Sequence, residues 1–333
     1  MEKVLTVSIA AYNVEQYLDQ TLNSLTCKNI DKLEVLIIND GSKDQTAAVA
    51  QTYVERYPQT FKVVNKENGG YGSTINKGLE LATGKYFKQL DGDDKFDVDN
   101  LDRLIDELEK VDVDIVYTPF CYWRGENITP VYCGLENKQV KDDRLEEYLD
   151  GWQNDLQMHT LCYKTKLIKE NGLKILENCF YTDTEYALYP FTYAKTAKFY
   201  DFPVYLYRIG EEGQSVSATG FRKHYKDNEK VIASILDNMS GYNQMPDSSV
   251  KQFLRYRVAD AFYGTIVRLI KFLPYGIKSY KYIKWLDRTI KEKNPAFYVD
   301  FRKKTVYTFR KGKFLTYTAL HIVLKLRYLI LHK

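Results

Sequence analysis

Three carboxylates fall within four positions at Asp91-Gly92-Asp93-Asp94. Carboxylates this close repel one another, so something positive usually compensates. An oxygen-only ligand set suits Mg²⁺ or Mn²⁺, and a carboxylate–metal–diphosphate bridge would follow. Asp-Gly is also turn chemistry, and a solvated acidic turn would carry the same residues. Asp40 stands just beyond the apolar run Leu33–Ile38, where a carboxylate can accept from a base N–H or a ribose hydroxyl. Ser42 or Asp44 beside it is helix N-cap chemistry, and the two roles can coexist. A glycine-rich stretch runs from Asn68 through Gly69, Gly70 and Gly72 to Asn76 and Gly78, and would let backbone approach a ligand closely. It lacks the third glycine of a dinucleotide fingerprint and the Gly-Lys-Ser/Thr of a Walker loop.

The elements that must position these residues alternate. Short apolar runs at 4–11, 33–38, 61–64, 85–90 and 114–118 read as strands, and stretches of helical spacing at 15–25, 44–57, 73–82 and 99–109 separate them. Strands alternating with helices predict an α/β chain with a mainly parallel, doubly wound sheet. Ligands of such sheets sit beyond the carboxyl ends of the strands. Tyr12-Asn13, Asp40 and Asp91–Asp94 all fall at those ends. Residues 119–215 are less regular: 120–123 and 128–133 predict a hairpin, 164–170 and 184–192 helices, and 204–207 a strand. Residues 222–293 read as helical, with Pro274 to Gly276 as a break.

Taken together, the motifs resemble family 2 glycosyltransferases of the GT-A (Rossmann-like) fold. The resemblance rests on Val7–Leu18 with Ala11-Tyr12-Asn13, on Ile38-Asn39-Asp40-Gly41-Ser42-x-Asp44-x-Thr46, on Asn76-x-Gly78-x-x-x-Ala82-x-Gly84-x-Tyr86, and on Leu90–Asp94, in that order. It covers the first 100 residues strongly and continues more weakly to about Ser217. It implies a nucleotide-sugar donor, with Ala11, Tyr12 and Asn13 cradling the nucleotide, Asp40 on the base, and Asn68, Gly70 and Asn76 in the neighbouring loop. Asp91-x-Asp93 is similar to the family's D-x-D motif. Asp91 would face the ribose or the metal, Asp93 would bind a Mn²⁺ or Mg²⁺ bridging the diphosphate, and Gly92 and Asp94 would lie at the donor. Two departures stand out. Ala10-Ala11 replaces the usual Pro-containing turn, and Ile75 stands where many members carry Arg, which removes one phosphate cation.

Asp183, in Phe180-Tyr181-Thr182-Asp183-Thr184-Glu185-Tyr186, matches the family's general base, with Thr182 where a Glu is usual. That base would take the proton of an attacking acceptor hydroxyl, and the reaction would invert the anomeric centre. Thr182-x-x-Glu185 also reads as a capping box, which assigns Glu185 to the helix start. Arg208 and Ser215, in Tyr207-Arg208-x-x-x-x-Gly213-Gln214-Ser215-Val216-Ser217, resemble the family's closing loop over the diphosphate; a polar surface turn is the competing reading. His159 reads as structural, as a lone His generally is.

Composition bounds the rest. The chain has 333 residues, 44% hydrophobic and 28% charged, which excludes fibrous and wholly disordered classes. Its 29 tyrosines point to hydroxyl-rich ligands or a membrane interface. Five widely spaced cysteines without a C-x-x-C speak against zinc knuckles and disulfide frameworks, and for a reducing compartment. No signal peptide and no ordinary transmembrane helix are expected. Residues 1–150 carry 28 acidic and 17 basic side chains, whereas residues 248–333 carry 4 and 20. In that tail, 314–331 places Thr318, His321, Lys325 and Tyr328 on one helical face and aliphatic residues over most of the rest. The pattern suits a helix lying in a membrane interface; a core or dimer helix is the alternative. No nucleic-acid motif accompanies the basic charge.

The expectation is therefore a glycosyltransferase domain over residues 1–220 and a helical basic region over 221–333 that contacts the membrane interface or another subunit. The expected reaction moves a sugar from a nucleotide donor, UDP-linked by preference, to a hydroxyl acceptor such as a lipid-linked glycan of bacterial surface or exopolysaccharide synthesis. The expected place is the inner face of the cell membrane. Transfer directly to a polyprenyl phosphate, or a catalytically silent nucleotide- or glycan-binding module, are the alternatives.

Overall fold

Short runs with little charge and β-branched side chains become interior strands here, and the amphipathic stretches between them become covering helices. The computed structural model describes residues 2–152, 154, 156–210, 218–298 and 304–331. In chain order the N-terminal unit contains β1 (Leu5–Ala11), α1 (Glu15–Asn23), β2 (Leu33–Asn39), α2 (Thr46–Arg56), β3 (Phe61–Asn65), α3 (Tyr71–Leu81), β4 (Tyr86–Asp91), β5 (Lys95–Phe96) and α4 (Val98–Lys110). It continues with β6 (Ile115–Tyr117), β7 (Phe120–Arg124), β8 (Asn127–Val131), α5 (Leu145–Leu149), β9 (Leu161–Lys164), α6 (Thr165–Glu170), α7 (Asp183–Leu188), β10 (Ala197–Phe199) and β11 (Tyr205–Arg208).

The main sheet runs β10-β6-β9-β4-β1-β2-β3. The pairs β1–β2, β1–β4, β2–β3 and β10–β6 are parallel, and β9 lies antiparallel between β4 and β6. The register sets Ala11 beside Asn39 and Ala10 beside Asp91, so three strands end together. α4 shows why the covering helices form. Asp97 accepts from Asn100 N–H at 2.9 Å as N-cap, and Leu101, Leu104, Ile105 and Leu108 recur at helical spacing and are buried. A second, four-stranded sheet runs β5-β11-β7-β8. The hairpin β7–β8 closes where expected, with Arg124 opposite Asn127.

β9 carries no sequence signal of its own: four residues leading straight into a helix are too short to show a period. The structure places it against β4, which brings Met158–Thr160 alongside Asp91.

The chain divides after Glu211 into a second unit, Glu212–Lys333. Its helices are α8 (Ala218–His224), α9 (Asp227–Asn238), α10 (Ser249–Phe272), α11 (Ile277–Lys293), α12 (Lys304–Lys311) and α13 (Phe314–Leu331). Ser248 caps α10 by accepting from Lys251 N–H at 3.1 Å, and α10 ends before Pro274, as the break requires. Buried Asp287 receives Arg310 Nε and Nη2, both at 3.0 Å, and Tyr298 hydroxyl at 3.0 Å, so part of the basic charge is compensated inside the unit. In α13 the buried stripe is the polar, aromatic one. Tyr317 and His321 are buried, and the His321 ring Nδ1 lies 2.7 Å from Ile270 O. Leu315, Ile322, Val323, Leu326, Leu329 and Ile330 are exposed instead. No described helix is long and apolar enough to cross a membrane.

Candidate active site

The carboxyl ends of β4, β1 and β2 are tied into one rim. Asp40 N–H donates to Ala11 O at 2.9 Å, and Gly92 N–H donates to Ala10 O at 3.0 Å. The turns after β1 and β2 then bind each other. Asn13, in the left-handed region at φ 52°, donates its N–H to Ser42 Oγ at 3.0 Å and accepts from Lys43 N–H at 2.8 Å. Val14 N–H reaches Thr46 Oγ1 at 2.9 Å, and Gln45 N–H reaches Glu15 Oε2 at 2.6 Å. Tyr12, 51% exposed, stands on this rim, where a flat ligand could lie against it.

Asp40 is buried, and its carboxylate is occupied by its own chain. It accepts from Lys66 Nζ at 2.6 Å, Gly69 N–H at 2.9 Å, Gly70 N–H at 2.9 Å and Ser73 Oγ at 3.3 Å. Asn68 adds a bond from Nδ2 to Asp40 O at 2.9 Å. Both oxygens of Asp40 thus organise the glycine-rich loop. Gly70 turns at φ 78°, and a Cβ on Gly72 would collide with Leu176 O. That close approach docks the start of α3 against residues 175–179. Asn76 belongs to the same joint: it donates to Ile175 O and Glu177 Oε1, and accepts from Ile175 N–H, each at 2.8 Å. The structure therefore aims Asn76 at the segment that precedes Asp183.

The capping box expected at Thr182 does not form. Thr182 makes no side-chain cap bond, and its buried Oγ1 has no partner among the described residues. Buried Glu185 turns back instead, accepting from Leu176 N–H at 2.7 Å and Tyr189 hydroxyl at 2.7 Å. Glu185 and Asn76 hold the segment 175–179 from its two sides. Asp183, the first residue of α7, is left on the exposed side of that helix.

The acidic turn is held from below by Thr21 Oγ1, which donates to Asp94 O at 2.6 Å and Gly92 O at 2.9 Å. Asp91 Oδ1 accepts from Tyr71 hydroxyl at 2.7 Å. Burial, with Asp93 nearby, pushes the Asp91 carboxyl up to about 7; Tyr71 opposes the shift and Asp183 adds to it. Asp94 is buried, accepts Tyr205 hydroxyl at 2.5 Å and Arg208 N–H at 2.7 Å, and is raised by burial and then by Asp91 and Asp93. Arg208 also donates from Nε to Asp93 O at 2.7 Å, and its guanidinium lies 4.1 Å from the centre of the Trp123 ring. Arg208 thus stitches β11 to the acidic turn. Ser215 lies outside the described residues.

His159 enters this centre by way of β9, which the sequence did not show. Ligand atoms of Asp91, Asp94 and His159 lie within 4.8 Å of one another. Burial, and then Lys88, lower the imidazole to about 3, so it is neutral and able to donate a lone pair. Two carboxylates and one neutral imidazole fit Mn²⁺ and tolerate Mg²⁺. Asp93, the expected ligand, is half-exposed beside this group. The fit is thus to an oxygen-rich divalent site in which Asp91 and Asp94 are the nearer carboxylates.

A mainly parallel seven-stranded sheet, with an acidic turn at the end of β4 and a smaller sheet beside it, is the GT-A glycosyltransferase fold. Among solved structures, residues 1–349 of TarS from S. aureus in complex with UDP match with TM-score 0.63 at 18% identity, covering 98% of this chain and 91% of that one. A mannosyltransferase from Pyrobaculum calidifontis, in complex with GDP-Man and Mn²⁺, matches with TM-score 0.53 at 14% identity, covering 98% and 88%. Residues 6–161 match the model of glycosyl transferase family 2. The uncharacterized glycosyltransferase EpsJ of Bacillus subtilis is 27% identical over 213 residues, which is 62% of this chain and 62% of EpsJ. The minor teichoic acid biosynthesis protein GgaB of the same organism is 26% identical over 264 residues, 76% of this chain but only 28% of GgaB. The chain thus spans less than two thirds of the length of either relative.

Proposed function

We propose that this chain transfers a sugar from a nucleotide-activated donor to a hydroxyl acceptor with inversion at the anomeric carbon. The observation that carries the proposal is the convergence of Asp91, Asp93, Asp94 and Asp183 at one strand-end rim. The Asp183 charge contributes to the raised Asp91 carboxyl, so the two lie within electrostatic reach. The nucleotide lies on the rim of Ala11, Tyr12 and Asn13, next to the loop that Asp40 holds closed. Asp91 and Asp94, with His159, would hold a divalent ion, and Asp93 would lie at the donor beside them. Bound there, the ion supplies Lewis-acid stabilisation of the leaving diphosphate. Asp183 accepts the acceptor hydroxyl's proton as the oxygen–anomeric carbon bond forms and the bond to the diphosphate breaks. The nucleoside diphosphate departs with that electron pair. UDP-sugars are the first donors to try, since the TarS complexes hold UDP and UDP-GlcNAc.

The acceptor is proposed to be carried on a lipid-linked or wall glycan, in keeping with the teichoic acid role named for GgaB. The second unit is proposed to rest on the inner membrane face through α13. In support, its aliphatic residues are exposed together with Lys325 and Arg327. Polybasic segments gain ~1 kcal/mol per Lys or Arg near an anionic leaflet.

Calorimetric titration of the full chain with UDP, UDP-GlcNAc, UDP-glucose and UDP-galactose, with and without Mn²⁺, tests the donor reading. A bound UDP-sugar whose affinity falls on chelation of the metal is the expected result. Failure of every nucleotide to bind refutes it.

A further inference from the structure

The rings beside the acidic turn form a ladder whose outer rungs have no role in the reaction described so far. β11 and β7 pair in parallel, with Tyr205 beside Phe120 and Tyr207 beside Tyr122. Residues two apart on a strand share a face. Tyr205, the inner rung of β11, is buried with its hydroxyl on Asp94. Tyr207 follows on that same face and is half-buried, as is Tyr122. The His159 ring packs across both strands. It is stacked on Tyr207 at 4.5 Å between centroids, edge-on to Tyr205 at 4.7 Å, and 5.3 Å from Phe120. Tyr122 and Tyr207 lie 6.0 Å apart.

We propose that Tyr207 and Tyr122 form the stacking platform for the pyranose ring of the acceptor; this rests on the glycosyltransferase reading above. Three features favour a sugar there. The inner rungs and His159 fix the outer rings, with His159 stacked on one face of Tyr207 and both outer rings left partly exposed, so little rotamer freedom is lost on binding. An aromatic face binds the C–H side of a pyranose, while the sugar hydroxyls at the edge need polar partners. The acidic turn supplies such partners beside the ladder: Tyr205 and Arg208, the residues two before and one after Tyr207 on β11, both donate to Asp94, at 2.5 and 2.7 Å. A sugar on Tyr207 would therefore present a hydroxyl toward the acidic turn. Tyr12 lies instead on the rim formed by the β1 and β2 turns, which separates the nucleotide end from the acceptor end.

Saturation-transfer NMR on the full chain, with UDP and Mn²⁺ present, reads the platform directly. The probes are methyl β-D-glucopyranoside, methyl β-D-galactopyranoside and methyl N-acetyl-β-D-glucosaminide. At least one should be saturated at its ring C–H protons. Tyr207→Ala should weaken that binding by about 10-fold, Tyr207→Phe should hold it within about twofold, and Tyr122→Leu should weaken it in the same direction. UDP affinity, measured on the same samples, monitors folding and the donor end. If UDP binds but no glycoside is saturated, or if Tyr207→Ala and Tyr122→Leu both leave saturation unchanged, the platform is refuted and the transferase reading stands. If UDP itself fails to bind the parent chain, both fall together.

Discussion

Replacing Asp40 by alanine separates two roles that one carboxylate could play. If Asp40 serves as a base contact, its loss weakens nucleotide binding and leaves the fold intact. The structure gives it a different load. Three donors lie within 3.0 Å of its oxygens: Lys66 Nζ at 2.6 Å and the Gly69 and Gly70 N–H groups at 2.9 Å. Hydrogen bonds to a charged group are each worth about 1.5–3 kcal/mol net, and a buried donor left unpaired costs a comparable amount. Lys66 keeps Glu67 O at 2.6 Å and Ser73 Oγ at 2.8 Å, so its ammonium is not stranded. Among the described residues the two glycine N–H groups are bonded to Asp40 alone, and Gly70 stands at φ 78°. Counting those two, less the recovered cost of desolvating the carboxylate, gives a loss of about 3 kcal/mol. For a unit of this size that lowers the melting temperature by about 6–12 °C. Trp123 fluorescence follows the unit, since its ring is buried between Lys95 and Arg208. Asp40→Asn should fall between parent and alanine variant, because its amide oxygen satisfies only part of the set. A melting temperature within 2 °C of the parent, joined to lost UDP affinity, would refute the reasoning and return Asp40 to the base.

Asp183→Asn should slow transfer by about 10²–10⁴-fold at nearly unchanged UDP affinity; a variant with parental turnover would remove Asp183 from the chemistry. Burial pushes the Cys27, Cys133 and Cys162 thiols up to about 12, so the native protein should react slowly with Ellman's reagent at pH 8 and release five thiols only on denaturation. For the same reason stability should fall as pH rises above about 9, because the unfolded chain then loses thiol protons that the folded chain retains until about 12. Ile322→Ser, Leu326→Ser and Ile330→Ser combined should reduce co-sedimentation with phosphatidylserine vesicles by about 100-fold at an unchanged melting temperature, since these side chains are exposed. Equal sedimentation of parent and triple variant would exclude α13 as the membrane contact.

Which parts of the site were legible follows from how far apart the interacting residues stand. The β1, β2 and β4 ends, Asp40 and the acidic turn lie at strand ends that local hydrophobic runs announce, so their positions could be read one element at a time. Asn76 and Ile175 are 99 residues apart, and Tyr205 and Asp94 are 111. No spacing rule reaches across such distances, so these joints were invisible until β9 and β11 were in place. Glu185 shows the converse error: Thr182-x-x-Glu185 has the right local spacing for a capping box, yet the half-buried N–H of Leu176 is a better use of a carboxylate than a helix end open to water. His159 escaped for a third reason. A lone His carries no pattern, and only the antiparallel strand that follows it sets its ring beside Asp91 and Asp94.

The inverted packing of α13 has a physical cause that bears on its use. A helix packed in water alone would bury its aliphatic side chains and expose Thr318, His321 and Tyr328. Here the polar and aromatic stripe is the packed one because α10 and its C-terminal turn offer it specific partners. Ile270 O meets the His321 ring, Tyr275 stacks on Tyr317 at 6.0 Å, and Phe272 meets Tyr328 edge-on at 5.2 Å. Each contact satisfies a polar or quadrupolar preference that an aliphatic residue could not. The aliphatic side is thereby left toward solvent, flanked by exposed Lys325 and Arg327. Exposing several large aliphatic residues on one helix is costly in water and favourable at a lipid interface, where long basic side chains can reach the headgroups. A second copy of the chain would cover the same aliphatic residues but gain nothing from the excess of positive charge around them. The charge therefore favours the anionic surface, and added salt should weaken vesicle binding without abolishing it, because the aliphatic contribution is not screened.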